Sequence, residues 1–402
     1  MKRRKRIKLK KNALIICLFL FLILCLCIFF LSGKDKAIEV PKENIPNVEV
    51  KDDEKSPKVY EVKMIMVGDA LIHDRLYNTV RNEDGSYDFK PTIQYIKPII
   101  TKYDLKYYNQ ETILGGAELG YSSYPQFNSP NEVGDAFLDA GFNLVSLATN
   151  HTMDKGERGV LNSVNYWKSK KNVVYSGQWS SWDERNEVHV YDINGISYAF
   201  FSYTTWTNGL ETPNGKEYLN NVYSDEKAAN DISKIRDLVD VVIVAMHWGT
   251  EYSLDVSSSQ EYIANYLAGL GVDLIIGSHP HVVEPVEYIN NGKTFVIYSL
   301  GNFLSAQYGI DRLTGLMVEV TIKKVVDVDG TITVSIESPK AELTYTQTND
   351  YTKYRVYPYS KLNSTILPDY MNYYEYYKGI VSSKYQKLEW GLSGEWLDGN
   401  LK

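Results

Sequence analysis

Five short apolar runs, each followed within three residues by Asp, Asn or His, constrain this chain most. They are Val62–Val67, Leu105–Tyr108, Asn143–Ala148, Val241–Met246 and Leu274–Ile276. Runs this short read as strands. Helix-like stretches alternate with them, near residues 92–102, 131–140, 157–170, 226–238 and 258–270. Strands alternating with helices predict an α/β architecture, a mixed sheet covered by helices. In open α/β sheets, sites collect outside the carboxyl ends of the strands. The polar residues lie just there.

The first strand leads into GDALIHD, with Asp69 and His73. The second leads into NQET, with Asn109 and Glu111. TNHTMDKG follows the third, with Asn150, His151 and Asp154. HWGTEY follows the fourth, with His247 and Glu251, and GSHPH the fifth, with His279 and His281. Five of the six histidines are in these loops; His189, in a β-rich stretch, has no assigned role. A lone histidine is more often structural. Five such loops on one rim point instead to a shared metal site. Carboxylate, amide and imidazole together suit Mn, Fe or Zn. A two-metal centre needs a bridging carboxylate, and Glu111 is a candidate. His279 and His281 project from one tight loop stiffened by Pro280, so they could serve two neighbouring ions.

Other chemistries fail on specifics. Gly292-Lys293-Thr294 has the ending of a phosphate-binding loop, but Glu287 stands where its first glycine belongs. There is no GxSxG, and the three cysteines (Cys17, Cys25, Cys27) all precede the strand-rich region. That region has no disulfides and must fold by its own core.

The N-terminus sets the expected location. Residues 1–12 carry eight Lys/Arg and no acid, and Ala13–Leu31 is unbroken apolar. Nineteen residues at the helical rise span about 30 Å, one bilayer core. The run is longer than a signal peptide's and no small-residue exit site follows it. An uncleaved single-pass anchor is expected, basic tail inside, everything beyond it extracellular. Residues 32–60, charged and Pro-dotted, read as a linker. Taking the eight basic residues of the tail from the 43 Lys/Arg leaves 35 against 50 Asp/Glu, about −15. That balance argues against nucleic acid as a partner.

Asn194-Gly195, Asn291-Gly292 and Asp329-Gly330 sit in β-rich surroundings, and the first two read as hairpin turns. Eleven of the 33 tyrosines follow residue 340, so residues 346–402 are set apart as a Tyr-rich extension. Packing of a terminal helix is the plain expectation for them; a partner or polymer surface is the sharper one.

The ordered set GDALIHD, NQET, TNHTMDKG, HWGTEY, GSHPHVVEPVE and YSLGNF resembles the CapA-type bacterial capsule synthesis proteins. That family is associated with poly-gamma-glutamate and is a branch of the calcineurin-like metallophosphoesterases. The likeness runs from about Val62 to Phe303, within a domain taken as 61–345. It implies a four-layer αββα metallophosphatase-like fold with two divalent ions. By the same resemblance Asp69 is the first-motif aspartate on one metal, and Glu111 bridges. Asn150, His247 and His279 are implied ligands of the second metal, His281 of the first, and His151 the general acid. His73 is four residues from Asp69, not two as in the usual first motif, and Thr149 stands where an Asn is common. Asn109, Asp154, Glu251 and Asn302 are expected to orient the ligands. The implied role is a metal-dependent hydrolase-like protein of capsule polymer synthesis, export or attachment, working with an acidic polymer and membrane-bound capsule proteins. The alternative is a non-catalytic, metal-containing polymer-binding subunit.

Overall fold

The computed structural model describes residues 56–392. The basic tail, the apolar run 13–31, residues 32–55 of the linker and residues 393–402 lie outside the described residues. Among the described residues no helix is long and apolar enough to cross a membrane.

Fifteen strands form two sheets among the described residues. They are β1 (Lys58–Leu71), β2 (Leu105–Gln110), β3 (Leu144–Ser146), β4 (Val174–Ser176), β5 (Tyr191–Ile193), β6 (Ile196–Thr204), β7 (Val241–His247) and β8 (Leu274–Ser278). Then follow β9 (Val286–Ile289), β10 (Thr294–Ile297), β11 (Asn302–Ser305), β12 (Thr314–Val326), β13 (Ile332–Gln347), β14 (Arg355–Pro358) and β15 (Glu389–Trp390). The larger sheet runs β14-β13-β12-β1-β2-β3-β4, with β11 also on β1 and β15 also on β13. Its β1 to β4 half is parallel and its β12 to β14 half antiparallel. The smaller sheet runs β5-β6-β7-β8-β10-β9, parallel from β6 to β10.

Strand alternation explains the layering. In β1, Val62, Met64 and Met66 face the other sheet, whereas Ile65 and Val67 face helices. In β7, Val241, Ile243 and Ala245 face the first sheet, and Val242, Val244 and Met246 face helices on the far side. Strands buried on both faces read as unbroken apolar runs, the reason these were visible in the sequence. Helices α1 (Glu132–Ala140) and α2 (Gly156–Lys168) put Val133, Phe137 and Trp167 on the outer face of the larger sheet. Helices α3 (Asp225–Ser233) and α4 (Ser258–Gly269) put Ile232, Ile263 and Leu267 on the smaller one. The layers are therefore helix, sheet, sheet, helix.

Differences from the sequence reading are local. Residues 92–102 do not make one helix but two four-residue turns, Lys90–Ile93 and Lys97–Ile100, each with a proline at its start. Proline lacks the N–H that would continue a helix from the preceding turn. Asn194 and Gly195, both at positive φ, close a two-residue hairpin between β5 and β6. The chain after 345 joins the same body. Strand β14 pairs with β13, and helix α5 (Tyr370–Val381) buries Tyr374, Tyr377 and Val381 in the core between the sheets.

Candidate metal centre

Register carries the strand ends to one place. Asp69 on β1 stands opposite Asn109 on β2, and Asn109 opposite Ser146 on β3. In the smaller sheet His247 on β7 stands opposite Ser278 on β8. The sheets are tied by the Ser146 and Ser202 hydroxyls, 2.7 Å apart. Both carboxyl edges thereby face one cleft.

Glu111 lies at its floor, 1% exposed, with both carboxylate oxygens buried and without a hydrogen-bond donor. Its Oε1 is 3.5 Å from His281 Nε2 and 3.7 Å from His247 Nε2. His247 Nε2 also faces Asn150 Oδ1 at 2.9 Å and His279 Nδ1 at 3.2 Å. Asp69 Oδ2 is 3.3 Å from His281 Nδ1 and accepts the His279 backbone N–H at 3.3 Å. Glu111, His279 and His281 have ligand atoms within 4.8 Å of one another.

These groups offer lone pairs to one another with few protons between them. A buried, unpaired carboxylate costs several kcal/mol. Burial first, then Asp69, pushes the Glu111 carboxyl well above the usual carboxylate range. Burial first, then His279 and His281, holds His247 well below the usual imidazole value, and burial with His281 brings His279 down to about 3. Neutral imidazoles around an unpaired carboxylate are the donor set a divalent ion completes. The residues present therefore fit a metal.

The supporting residues fix ring orientation. Asn302 Oδ1 faces His281 Nδ1 at 3.1 Å, leaving Nε2 toward Glu111. Asn109 donates to Asp69 Oδ1 at 2.8 Å. Asp154 accepts from His151 Nδ1 at 2.7 Å and from the Phe127 backbone at 2.6 Å, while Phe127 packs edge-on against His151 at 4.7 Å. His279 and His281 both have positive φ, 98° and 61°. Such backbone costs about 1–3 kcal/mol for a residue with a side chain and persists only where surroundings enforce it. Further along the same loop the buried Glu284 accepts from Gln260, itself half of the capping box that starts α4.

Two of the expected residues stand apart. His73 gives its Nδ1 to the Leu71 carbonyl at 3.1 Å and packs edge-on against Phe127, with no hydrogen bond to another site residue among the described residues. Glu251 is exposed and reaches Glu111 only as a nearby charge. Sequence reasoning passed over Thr149, Ser278 and Asn208. Thr149 binds the Glu111 carbonyl at 2.8 Å, Ser278 Oγ meets His247 Nδ1 at 3.1 Å, and Asn208 accepts from Asn150 at 3.2 Å. Ser278, beside His279 in GSHPH, carried the one available signal.

The family model described as bacterial capsule synthesis protein PGA_cap matches residues 63–307. The PGA biosynthesis protein CapA of Bacillus subtilis (strain 168) is 28% identical over 193 residues, 46% of this chain and 48% of that protein. The capsule biosynthesis protein CapA of Bacillus anthracis is 26% identical over 257 residues, 61% of this chain and 60% of that protein. The chain thus spans about half to three fifths of these relatives' length. Among solved structures, a novel phosphatase from Mycoplasma pneumoniae is 17% identical with a TM-score of 0.42, over 71% of this chain and 93% of that one. A 5'-nucleotidase from Candida albicans SC5314 is 12% identical with a TM-score of 0.38, over 67% of this chain and 52% of that one. The family match spans more than half of the chain, including every loop that carries a candidate ligand, and the chain belongs to the bacterial capsule synthesis protein family.

Proposed function

We propose that this chain is a membrane-anchored, outward-facing metallophosphoesterase-like hydrolase with a two-metal centre, acting in synthesis, export or attachment of a poly-gamma-glutamate capsule. The observation that carries the reading is Glu111, a buried carboxylate with both oxygens unpaired and imidazoles of two strand ends around it. Asp69, Glu111 and His281 would hold one ion, with His73 as a further candidate. Glu111, Asn150, His247 and His279 would hold the other. Bound Mn, Fe or Zn would supply Lewis-acid polarisation of the bond to be cleaved and of water. The chain's own residues do the rest. Asp154 holds His151 by its Nδ1 in a buried pair, which leaves the other ring nitrogen for proton transfer to a leaving oxygen. Phe127 packs edge-on against that ring, and His151 is buried.

Metal analysis of the purified protein after reconstitution tests the centre. Near two equivalents of divalent metal are expected, and none would end the reading. A phosphodiester panel tests catalysis: His151→Ala should lower turnover about 10²- to 10⁴-fold with metal content unchanged. A second reading is favoured by the relatives' names, which speak of biosynthesis and not hydrolysis. In it the ions only hold an acidic polymer for membrane-bound capsule proteins. Equal turnover in wild type and His151→Ala, with metal bound in both, would favour that reading.

A further inference from the structure

Two arginines at the mouth of the metal centre lack a carboxylate partner. Arg185 and Arg236 are each paired with an aspartate, whereas Arg81, Arg158 and Arg355 form no ion pair among the described residues and Arg75 and Arg312 share that lack. Arg75 and Arg312 lie instead on tyrosine rings. The Arg75 guanidinium is 3.7 Å from the centre of the Tyr308 ring and 5.5 Å from that of Tyr351, and these two rings touch edge to face. The Arg312 guanidinium is 4.9 Å from the Tyr252 ring. The three tyrosines are 40–51% exposed, on a chain whose excess of acids would normally supply partners.

Both arginines connect to the metal centre. The Tyr252 ring is 6.0 Å from the His281 ring, and its backbone N–H binds the Pro280 carbonyl at 2.8 Å. Tyr252 has a φ of 68°, a left-handed conformation enforced in the HWGTEY loop. The Arg312 carbonyl accepts from Asn302, the residue that orients His281. Arg75 is two residues beyond His73, whose ring packs edge-on against Phe127, the same ring that packs against His151. The nearby acids do not neutralise the pair. Asp311 accepts the Tyr377 hydroxyl, Asp74 receives only the Arg75 backbone N–H, and Glu251 is exposed beside Tyr252.

We propose that Arg75 and Arg312, each backed by a tyrosine face, form a specificity site that binds successive carboxylates of an extended γ-linked glutamate chain and leads it to the metal centre. This rests on the polymer reading above. A guanidinium presents a planar fork that matches a carboxylate with two hydrogen bonds. An aromatic face under it fixes the fork's plane. Two such units, each with its own tyrosine, suit a ligand that repeats its anionic group. The tyrosine faces between them offer contact to the uncharged backbone of that ligand.

Binding of γ-linked glutamate oligomers to the metal-loaded full chain is the test. Arg75→Gln and Arg312→Gln should each weaken binding about tenfold, and the double variant about a hundredfold. Metal content and unfolding temperature should not move. Arg75→Lys should recover part of the loss, because it restores the charge and not the fork. A γ-linked isoglutamine oligomer, in which each free α-carboxylate is a carboxamide, should bind weakly to every variant. Wild-type affinity in the double variant would overturn the specificity site and leave the polymer reading standing. So would equal wild-type affinity for the isoglutamine oligomer. No saturable binding of the glutamate oligomer by wild type would overturn both.

Discussion

At the residue scale the decisive group is Glu111, and its behaviour without metal has a defined sign. In the metal-free protein its folded value lies well above the ordinary one, through burial and then Asp69. A raised carboxyl contributes fully below its unfolded value and loses that contribution as pH rises through the folded value. His73 (about 4), His279 (about 3) and His247 (well below the ordinary value) act the other way. They are folded as neutral rings, so stability is present above about pH 6.5 and is lost as pH falls toward 4 and 3. The metal-free protein should therefore be weakened on both sides. Glu111→Gln removes only the loss at higher pH. At pH 8 after chelation, this variant should unfold at a higher temperature than wild type. With metal added the order should reverse, because the variant loses a charged ligand. Thermal unfolding of both proteins with and without chelator measures this, and a variant less stable in both states would remove Glu111 from the metal account. The chemistry of this residue was legible from its place after an apolar run. Its partner Thr149 was less so, because Glu111 lies 38 residues from Thr149 and their contact exists only after β2 and β3 pair.

At the element scale the site depends on how closely strand ends approach. A Cβ on Gly68 would stand 1.8 Å from the Gly301 carbonyl oxygen, next to the pair formed by Asp69 and Asn302 on β1 and β11. Gly68→Ala must push those strands apart. It should destabilise by about 1–3 kcal/mol or more and lower metal occupancy, since Asp69 and the Asn302 support of His281 both shift. Gly379, exposed within α5, has open space at its Cβ position and ordinary backbone angles. Gly379→Ala should raise stability by about 0.5–1 kcal/mol through helix propensity alone, with metal occupancy unchanged. Denaturant titration paired with metal analysis separates the two, and unchanged metal in Gly68→Ala would show that strand spacing does not set the site. The same scale explains which elements were readable. The parallel strands declared themselves because both faces are largely buried, so apolar residues dominate them and few polar ones, such as Lys63 and Lys106, interrupt the runs. The stretch near 92–102 has helical composition, yet Pro91 and Pro98 divide it into two short turns. Strand β11 is four residues long and starts at Asn302, and a run that short gives no periodicity to recognise.

At the scale of the whole molecule the Tyr-rich end belongs to the core that positions the metal centre. Tyr377 is fully buried on α5 and donates to Asp311, the neighbour of Arg312. Tyr359, also fully buried, shares a hydroxyl contact with Thr314 at the start of β12. Strand β12 lies against β1, whose far end carries Asp69. The tyrosines thus fill space behind the sheet that presents the first ligand loop. Their number drew attention in the sequence, but which ones face inward depends on a helix packing against β13 and on partners 45 and 66 residues away, and composition does not encode that. Two substitutions separate packing from the hydroxyl. Tyr377→Phe keeps the ring and loses one hydrogen bond, which should cost about 1 kcal/mol. Tyr377→Ala leaves a cavity between the sheets and should cost about 3–5 kcal/mol. If the terminal helix and the metal centre share one cooperative core, the alanine variant should also release metal at a lower temperature, in step with loss of tertiary signal. Metal release and near-ultraviolet circular dichroism followed on one heating ramp give both transitions. Loss of the tertiary signal while metal stays bound would show instead that α5 melts as a separate unit and that the centre stands on the two sheets alone.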